Sequence, residues 1–230
     1  MVTSNIRNRS LVCNMKKIYL SLLFLVTIVL VSFTALCGRT FEGSISLIRE
    51  TVYDTTYISI FVKNAMVRVD ERDTKHRLVS SHIVNIDKEE VFALSFSKQL
   101  YAKLSVNSPY KNNPSQTISK TPNHKQINGK TCYQWRVRDE QMNTEVAYWM
   151  YESEFDFFAK LLHLLRRTEY SLSVLSAIPD AEGYLPMLAE ERTLLRKEKL
   201  KVRVMSIEQN TQSNRLFTIP SHFKSANRPT

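Results

Sequence analysis

Residues 131–152 read TCYQWRVRDEQMNTEVAYWMYE and contain two runs in which apolar and polar side chains alternate. Apolar side chains occupy every second position of these runs: Tyr133, Trp135 and Val137, then Val146, Tyr148 and Met150. A period of two residues is typical of a half-buried β-strand. The stretch therefore predicts two neighbouring strands, each with one face turned towards a core.

The same alternation recurs from Phe41 onwards, in segments separated by short polar connections. The apolar positions of these segments are Phe41, Gly43, Ile45 and Leu47; Ile58, Ile60 and Val62; Val67 and Val69; Val84 and Ile86; Phe92, Leu94 and Phe96; Leu100, Ala102 and Leu104; and Leu200, Val202 and Val204. This pattern predicts an antiparallel meander of about ten strands. The polar, proline-containing stretch Val106–Lys130 is expected to be a long loop with at most one short strand.

One segment, Glu154–Arg167, has helical spacing instead. Its apolar residues are Phe155, Phe157, Phe158, Leu161, Leu162, Leu164 and Leu165. They predict an amphipathic helix, with Ser153 as its N-cap and a broad apolar face that covers a sheet. The predicted fold class is therefore mainly β (α+β).

The N-terminal part of the chain has the pattern of an export signal. The basic pair Lys16-Lys17 precedes Ile18–Leu36, an uncharged run rich in Leu, Val, Ile and Phe. A positive segment followed by an apolar stretch directs secretion. We therefore expect residues 1–37 to send the protein to the periplasm or cell envelope, and residues 40–226 to form a single domain there.

Three fates of this segment are open. Ala35 and Cys37 suit cleavage after Cys37, since small residues precede signal-peptidase sites. Retention as a membrane anchor is the second possibility, because the run approaches the ~20 residues that span a bilayer. Lipidation of Cys37 is the least favoured, because the bulky Leu36 precedes it. Met15, directly before the basic pair, is the expected translation start.

The net charge of +10 is concentrated in basic stretches. No acidic residue occurs between Val91 and Arg138, and the stretch Arg192–Arg203 contains one acidic residue, Glu198. The stretches Lys98–Arg138 and Arg192–Arg203 are expected to face either solvent or an anionic membrane surface, where each adjacent base contributes about 1 kcal/mol. An exported protein seldom meets nucleic acid, so no nucleic-acid partner is expected.

Residues that carry common chemistry are sparse. The five histidines are scattered and form no metal-binding motif, and no Gly-x-Ser-x-Gly elbow occurs. The single cysteine beyond the export segment, Cys132, has no neighbouring histidine and is expected to be a small buried residue. The sequence therefore predicts a protein that is not an enzyme, with no catalytic residue, metal ligand or cofactor.

The spacing Thr121-x-x-x-Lys125-x-Ile127-x-Gly129-x-x-Cys132-x-x-Trp135-x-Val137 resembles the central signature of an uncharacterised bacterial envelope family. That family is grouped with the lipoprotein carriers LolA and LolB and the lipid-binding LppX. Other pieces occur in the matching order: Phe41-Glu42-Gly43, Val67-Arg68-Val69, Ile86-Asp87, Glu145–Trp149, Leu185-Pro186 and Leu216–Pro220. The resemblance implies a curved antiparallel half-barrel with helices on its concave face, where acyl chains can bind. It implies no catalytic residue.

The leading hypothesis is an envelope protein that binds a lipid or lipoprotein acyl chain, or another apolar ligand, between sheet and helix. The candidate ligand-binding residues are Phe155, Phe158, Leu161, Leu162 and Leu165 on the helix, with Trp135 and Tyr148 on the strands. These residues would equally suit an ordinary packed core. The alternative is therefore a membrane-tethered structural or protein-interaction module without an internal ligand. A hydrolase assembled from distant residues ranks third.

The export hypothesis predicts the location of the C-terminus. A reporter fused after Thr230 should be active only where it folds outside the cytoplasm, because the basic and apolar residues of 1–37 direct translocation. Alkaline phosphatase activity in colonies and cell fractions would measure this. Activity of a cytoplasm-dependent reporter at the same position would contradict the export of this chain.

Overall fold

Alternating side chains build a twelve-stranded sheet in the computed structural model. The structure describes residues 41–106, 116–166, 171–178 and 181–226, all within the unit Thr40–Thr230. The expected export segment, residues 1–37, lies outside the described residues.

The strands follow one another along the chain with few interruptions. They are β1 (Gly43–Thr51), β2 (Thr55–Lys63), β3 (Met66–Arg72), β4 (Leu78–Asn85), β5 (Glu90–Ser95), β6 (Leu100–Leu104), β7 (Gln116–Ile127), β8 (Lys130–Asp139), β9 (Thr144–Glu152), β10 (Tyr184–Thr193), β11 (Glu198–Glu208) and β12 (Lys224–Ser225). Their order in the sheet is β12-β6-β5-β4-β3-β2-β1-β11-β10-β9-β8-β7. Neighbours are antiparallel except β12, which runs parallel to β6. The sheet is open, and the predicted fold class is confirmed.

A single α-helix, α1 (Asp156–Leu165), occurs in the described part of the chain. It contacts both β5 and β10, which are separated by five strands in the sheet order. In a flat sheet these two strands would lie about 29 Å apart, whereas a helix of this length measures only about 15 Å. The sheet must therefore curve around α1, which lies on its concave face.

The concave face carries the main core. Its strands are in register, so that Ile45, Ile60 and Val69 are direct neighbours across β1, β2 and β3. All three side chains are fully buried. Buried residues of α1 join the same cluster, and the helix thereby covers apolar surface that alternation places on one side of every strand.

A smaller core lies on the convex face. Ile83 and Leu94 point away from the helix and pack against Phe223 of the C-terminal segment. This segment is held by hydrogen bonds from Lys63 Nζ to the Gln212 carbonyl (2.6 Å) and from an Arg68 guanidinium N–H to the Leu216 carbonyl (3.2 Å). It ends as β12 and so covers the edge of β6, which would otherwise expose unpaired backbone groups.

The expected long loop Val106–Lys130 is wrong for Gln116–Ile127, because these twelve residues form the strand β7. The prolines of this stretch favoured a loop over a strand. However, β7 is an edge strand, and its pairing with β8 is interrupted between Lys120 and His124, where Pro122 lies. A proline at such an interruption removes no ladder hydrogen bond, which makes it compatible with an edge strand.

Strand β10 was not predicted from the sequence. Five consecutive residues, Leu185–Ala189, are buried, and the register shifts between Pro186 and Leu188. Burial on both faces gives a continuous apolar run in place of alternation, so a search for a period of two residues passes over it.

The helix is shorter than predicted. It begins at Asp156, and its N-cap is Phe155, which makes no side-chain capping hydrogen bond. The predicted cap, Ser153, instead belongs to a turn, because its N–H donates to the Gly183 carbonyl and its own carbonyl accepts from the Phe155 N–H. Arg167, the predicted last residue of the helix, lies outside the described residues.

Gly43 is predicted to be essential for the pairing of β1 with β11. A Cβ atom at this position would lie 2.0 Å from the Glu208 carbonyl oxygen, a backbone atom that cannot move independently. We expect Gly43→Ala to lower the free energy of unfolding by about 3 kcal/mol, at the upper end of the cost of overpacking. Denaturant unfolding would measure it.

The neighbouring Ser44→Ala is the matched control, since Ser44 is only partly buried. It should change stability by less than about 0.5 kcal/mol. Equal stability of the two variants would contradict the close approach of β1 and β11.

Candidate functional site

The seven predicted ligand-binding residues all lie in the main core. None exposes more than 6% of its surface. The structure brings together the residues from α1, β8 and β9, as expected from the sequence: Phe155, Phe158, Leu161, Leu162, Leu165, Trp135 and Tyr148. Only Leu162 among them also lines a cavity. Ligand contact by any of the seven remains a prediction.

The cavity lies beside α1 and measures about 740 Å³. Its walls come from α1, the turn between β4 and β5, the first residues of β7, the 3₁₀ turn Ser173–Ala177 and the chain that leads into β10. The apolar lining residues are Ile86, Ile118, Ala159, Leu162, Leu164, Leu175, Ile178 and Ala181. This cleft is the candidate functional site.

Basic and acidic side chains surround the apolar lining of the cleft. Lys160, His163 and Arg166 are exposed on α1 and follow one another at three-residue spacing, so they project along one side of the helix. Acidic residues complete the rim: Glu89, Asp156 and Glu182. An apolar interior with a charged rim suits an amphipathic ligand whose polar end remains near solvent.

The 3₁₀ turn is attached to the sheet by one buried hydrogen bond. The Tyr148 hydroxyl of β9 donates to the Val174 carbonyl at 2.6 Å. Tyr148 is fully buried, and this burial raises the pKa of its phenol far above the ordinary value. The hydroxyl therefore stays protonated and keeps the turn in place over the core.

The described residues hold no group of three His, Cys, Asp or Glu side chains that could bind a metal ion. Cys132 is buried, and burial raises the pKa of its thiol. A thiol with a raised pKa is a poor nucleophile at neutral pH. The cleft thus offers shape, apolar surface and rim charges, and these features suit binding.

Sequence reasoning missed most of the cleft lining. Ile118 lies in β7, within the stretch expected to be a loop, and Leu175 and Ile178 lie in a segment that received no assignment. The apolar run at Leu172, Val174, Leu175 and Ile178 was a usable signal of a buried turn. No local signal shows that these pieces meet, because they come from distant parts of the chain.

The two predicted basic stretches do not form one continuous surface. Lys98 and Lys103 belong to the β5–β6 region, near one end of the strand order, whereas Arg136 and Arg138 lie on β8 near the other end. Part of each stretch does converge on the convex face. Four arginines line a groove of about 380 Å³ there, together with Glu145 and Glu190: Arg136, Arg138, Arg192 and Arg196. We call it the arginine groove.

No helix in the described part of the chain is long and apolar enough to cross a membrane. The apolar run Ile18–Leu36 lies outside that part, so its cleavage or retention remains a prediction.

Comparison with solved structures places the fold among known proteins. The chain is similar to an uncharacterized conserved protein from Thermus thermophilus, with a TM-score of 0.52, 8% identity, and coverage of 82% of this chain and 91% of that one. This similarity shows the fold alone. No protein-family model matches the sequence, and no match is found among curated proteins.

Two further structures are more distantly similar. A putative outer membrane lipoprotein-sorting protein domain from Vibrio parahaemolyticus has a TM-score of 0.31 and 5% identity, over 78% of this chain and 91% of that one. PNGF-II has a TM-score of 0.43 and 12% identity, over 81% of this chain but only 32% of that one. Similarity at these TM-scores establishes neither a shared fold nor a shared function.

The bond from Tyr148 predicts a measurable contribution to stability. Tyr148→Phe should leave the Val174 carbonyl buried without a donor and lower the free energy of unfolding by about 1–3 kcal/mol. Denaturant unfolding would measure the loss. Tyr133→Phe removes a hydroxyl from a ring that is 44% exposed and should cost less than about 0.5 kcal/mol. Equal losses in the free energy of unfolding for the two variants would contradict this role of Tyr148.

Proposed function

We propose that the protein is an exported component of the cell envelope that holds an apolar ligand, such as a lipid or lipoprotein acyl chain, without catalysing a reaction. The ligand would lie in the cleft beside α1. The observation that carries this proposal is the cleft itself, whose volume of about 740 Å³ is within the ~300–1,000 Å³ of typical small-molecule sites.

The chemistry of the lining supports an acyl chain over a polar ligand. Leu162, Leu164, Leu175 and Ala181 expose at most 6% of their surfaces, so the interior wall is made of packed aliphatic groups. Such a wall favours apolar groups at about 25 cal/mol per Å² removed from water. An acyl chain gains this free energy along its whole length, whereas a polar ligand would leave its hydrogen-bonding groups unpaired.

The rim supports a ligand with a polar end. Lys160 and Arg166 border the cleft on α1, whereas Glu89, Asp156 and Glu182 lie elsewhere on its rim. An anionic carboxylate or phosphate would therefore meet opposite charge beside Lys160 and Arg166, where it would also remain solvated. The export pattern of residues 1–37 supports a location where such amphiphiles are abundant. The proposal thus assigns the apolar lining to chain binding and the helix bases to the head of the ligand.

One observation favours a second candidate function. Six of the seven predicted ligand-binding residues are packed in the core and do not line the cleft. A domain with so complete a core could serve as a structural or interaction module that binds no internal ligand. The two functions differ in whether the cleft is filled when the protein is isolated from cells.

Filling the cleft should separate these functions. Ala159 is a half-buried residue of α1 that lines the cleft, so Ala159→Phe places a ring where the ligand would lie. We expect the parent protein to bind a fluorescent fatty acid saturably. Ala159→Phe should bind it at least about tenfold more weakly, because the phenyl ring would occupy space in which the acyl chain makes apolar contacts. A fluorescence titration would measure both affinities.

Ala147→Phe is the matched control, since Ala147 is also half-buried but lines the arginine groove on the convex face. Its affinity for the fatty acid should equal that of the parent. Mass spectrometry of organic extracts of the purified protein would identify a bound lipid directly. Absence of both saturable binding and an extracted lipid would refute the carrier function and support the interaction module.

A further inference from the structure

Exposed apolar side chains concentrate on three hairpin turns. Tyr53 exposes 97% of its surface, Leu195 88%, Val52 69% and Met142 68%. They lie between β1 and β2, between β10 and β11, and between β8 and β9. The other exposed large apolar residues of the described chain lie outside these turns: Val79, Phe96, Ile118, Tyr133 and Met205. Single exposed apolar residues are common on protein surfaces, but four in these three turns, including the two most exposed, indicate a binding surface.

These three turns lie side by side at one end of the sheet. The strands that carry them are consecutive in the order β2-β1-β11-β10-β9-β8. Thr51 at the end of β1 pairs with Leu200 near the start of β11, and Thr193 at the end of β10 pairs with Thr144 at the start of β9. All three turns therefore point in the same direction, with about 10 Å between successive hairpins.

The turns hold their shape through backbone and side-chain hydrogen bonds. The Leu194 N–H donates to the Asn143 carbonyl at 3.2 Å and so links the turn of Leu195 to the turn of Met142. In the third turn, Thr51 Oγ1 accepts from the N–H groups of Tyr53 and Asp54. The apolar tips are thus presented in a fixed arrangement, which reduces the entropy lost on binding.

Basic side chains accompany the tips. Arg196 and Lys197 lie in the same turn as Leu195, and no described residue forms an ion pair with either. Arg138 and Arg192 of the arginine groove lie just behind, each within 4 Å of a glutamate. The acids in these turns are Asp54 and Glu140, and six more lie on the adjoining ends of the strands: Glu50, Asp139, Glu145, Glu190, Glu191 and Glu198. Arginine or lysine side chains form ion pairs with five of the eight: Glu50, Glu140, Glu145, Glu190 and Glu191.

We propose that this end of the sheet docks on an anionic membrane surface, with Tyr53, Met142 and Leu195 inserted among the headgroups and Arg196 and Lys197 on the phosphates. Separate apolar tips about 10 Å apart suit a bilayer interface, which admits each tip without a preformed pocket. Tyrosine is favoured at that depth, and basic residues next to apolar tips add attraction to anionic lipid. The surface is independent of the cleft and of its ligand.

Vesicle binding by the full chain tests this docking surface. The chain is first held in nanodiscs of neutral phosphatidylcholine, so that residues 18–36 are already in lipid. Sucrose-loaded vesicles of phosphatidylcholine, with or without phosphatidylglycerol, are then added and sedimented. The parent should co-sediment with the anionic vesicles, not with the neutral ones, and added salt should weaken the binding.

Two variants remove the two parts of the surface separately. Arg196→Gln with Lys197→Gln should weaken binding roughly thirtyfold, from the known attraction of surface-adjacent bases. Tyr53→Ser, Met142→Ser and Leu195→Ser combined should weaken it at least about tenfold, because less apolar surface enters the bilayer. Both variants change exposed side chains only and should melt at the temperature of the parent.

The control variants remove side chains of the same kinds, basic and apolar, from other parts of the sheet. Lys88→Gln with Lys130→Gln removes two charges at the opposite end of the sheet, one from the β4–β5 turn and one from the start of β8. Met205→Ser removes a half-exposed apolar side chain from the face of β11. Both should bind like the parent. The proposal is overturned if the parent ignores anionic vesicles, if it binds neutral vesicles equally well, or if the controls lose as much affinity as the tip and charge variants.

Discussion

The fold depends on covering the concave face of the sheet with one short helix. Alternation gives each strand an apolar side, and α1 has the broad apolar face that this side requires. Because α1 contacts both β5 and β10, the sheet has to bend around it. Without the helix, the apolar sides of Ile60, Val69 and their neighbours would face water, and little in the remaining connections could replace it.

The same constraint explains why a cleft exists. A helix of about 15 Å cannot cover the inner face of twelve strands, so the 3₁₀ turn Ser173–Ala177 and residues Ile178 and Ala181 extend the cover. The Tyr148 hydroxyl, which donates to the Val174 carbonyl, helps to hold this turn on the sheet. Space remains between these pieces and the edge of β7, and it is lined by whatever apolar side chains the incomplete cover leaves at its border.

Local patterns in the sequence predicted the parts of the fold that depend on one face being buried. The period of two residues identified β8 and β9, and the helical spacing identified α1 to within two residues at each end. The period of two residues did not identify β10, because Leu185–Ala189 is buried on both faces. It also did not identify β7, which is an edge strand and therefore tolerates Pro122. The seven core residues were likewise predictable, whereas the cleft required knowing which distant segments become neighbours.

The alternation of apolar and polar side chains along each strand also gives the two faces of the sheet different properties. Trp135 and Val137 of β8 are buried in the core, while Arg136 and Arg138, which alternate with them, face the arginine groove. A turn belongs to neither face, so an apolar residue such as Tyr53 or Leu195 contributes nothing to the packing of either. The exposed apolar residues of three adjacent turns are therefore the observation on which the proposed docking to a membrane surface rests. The proposed ligand cleft and the proposed docking surface thus use different parts of the sheet, and occupation of one would leave the other open.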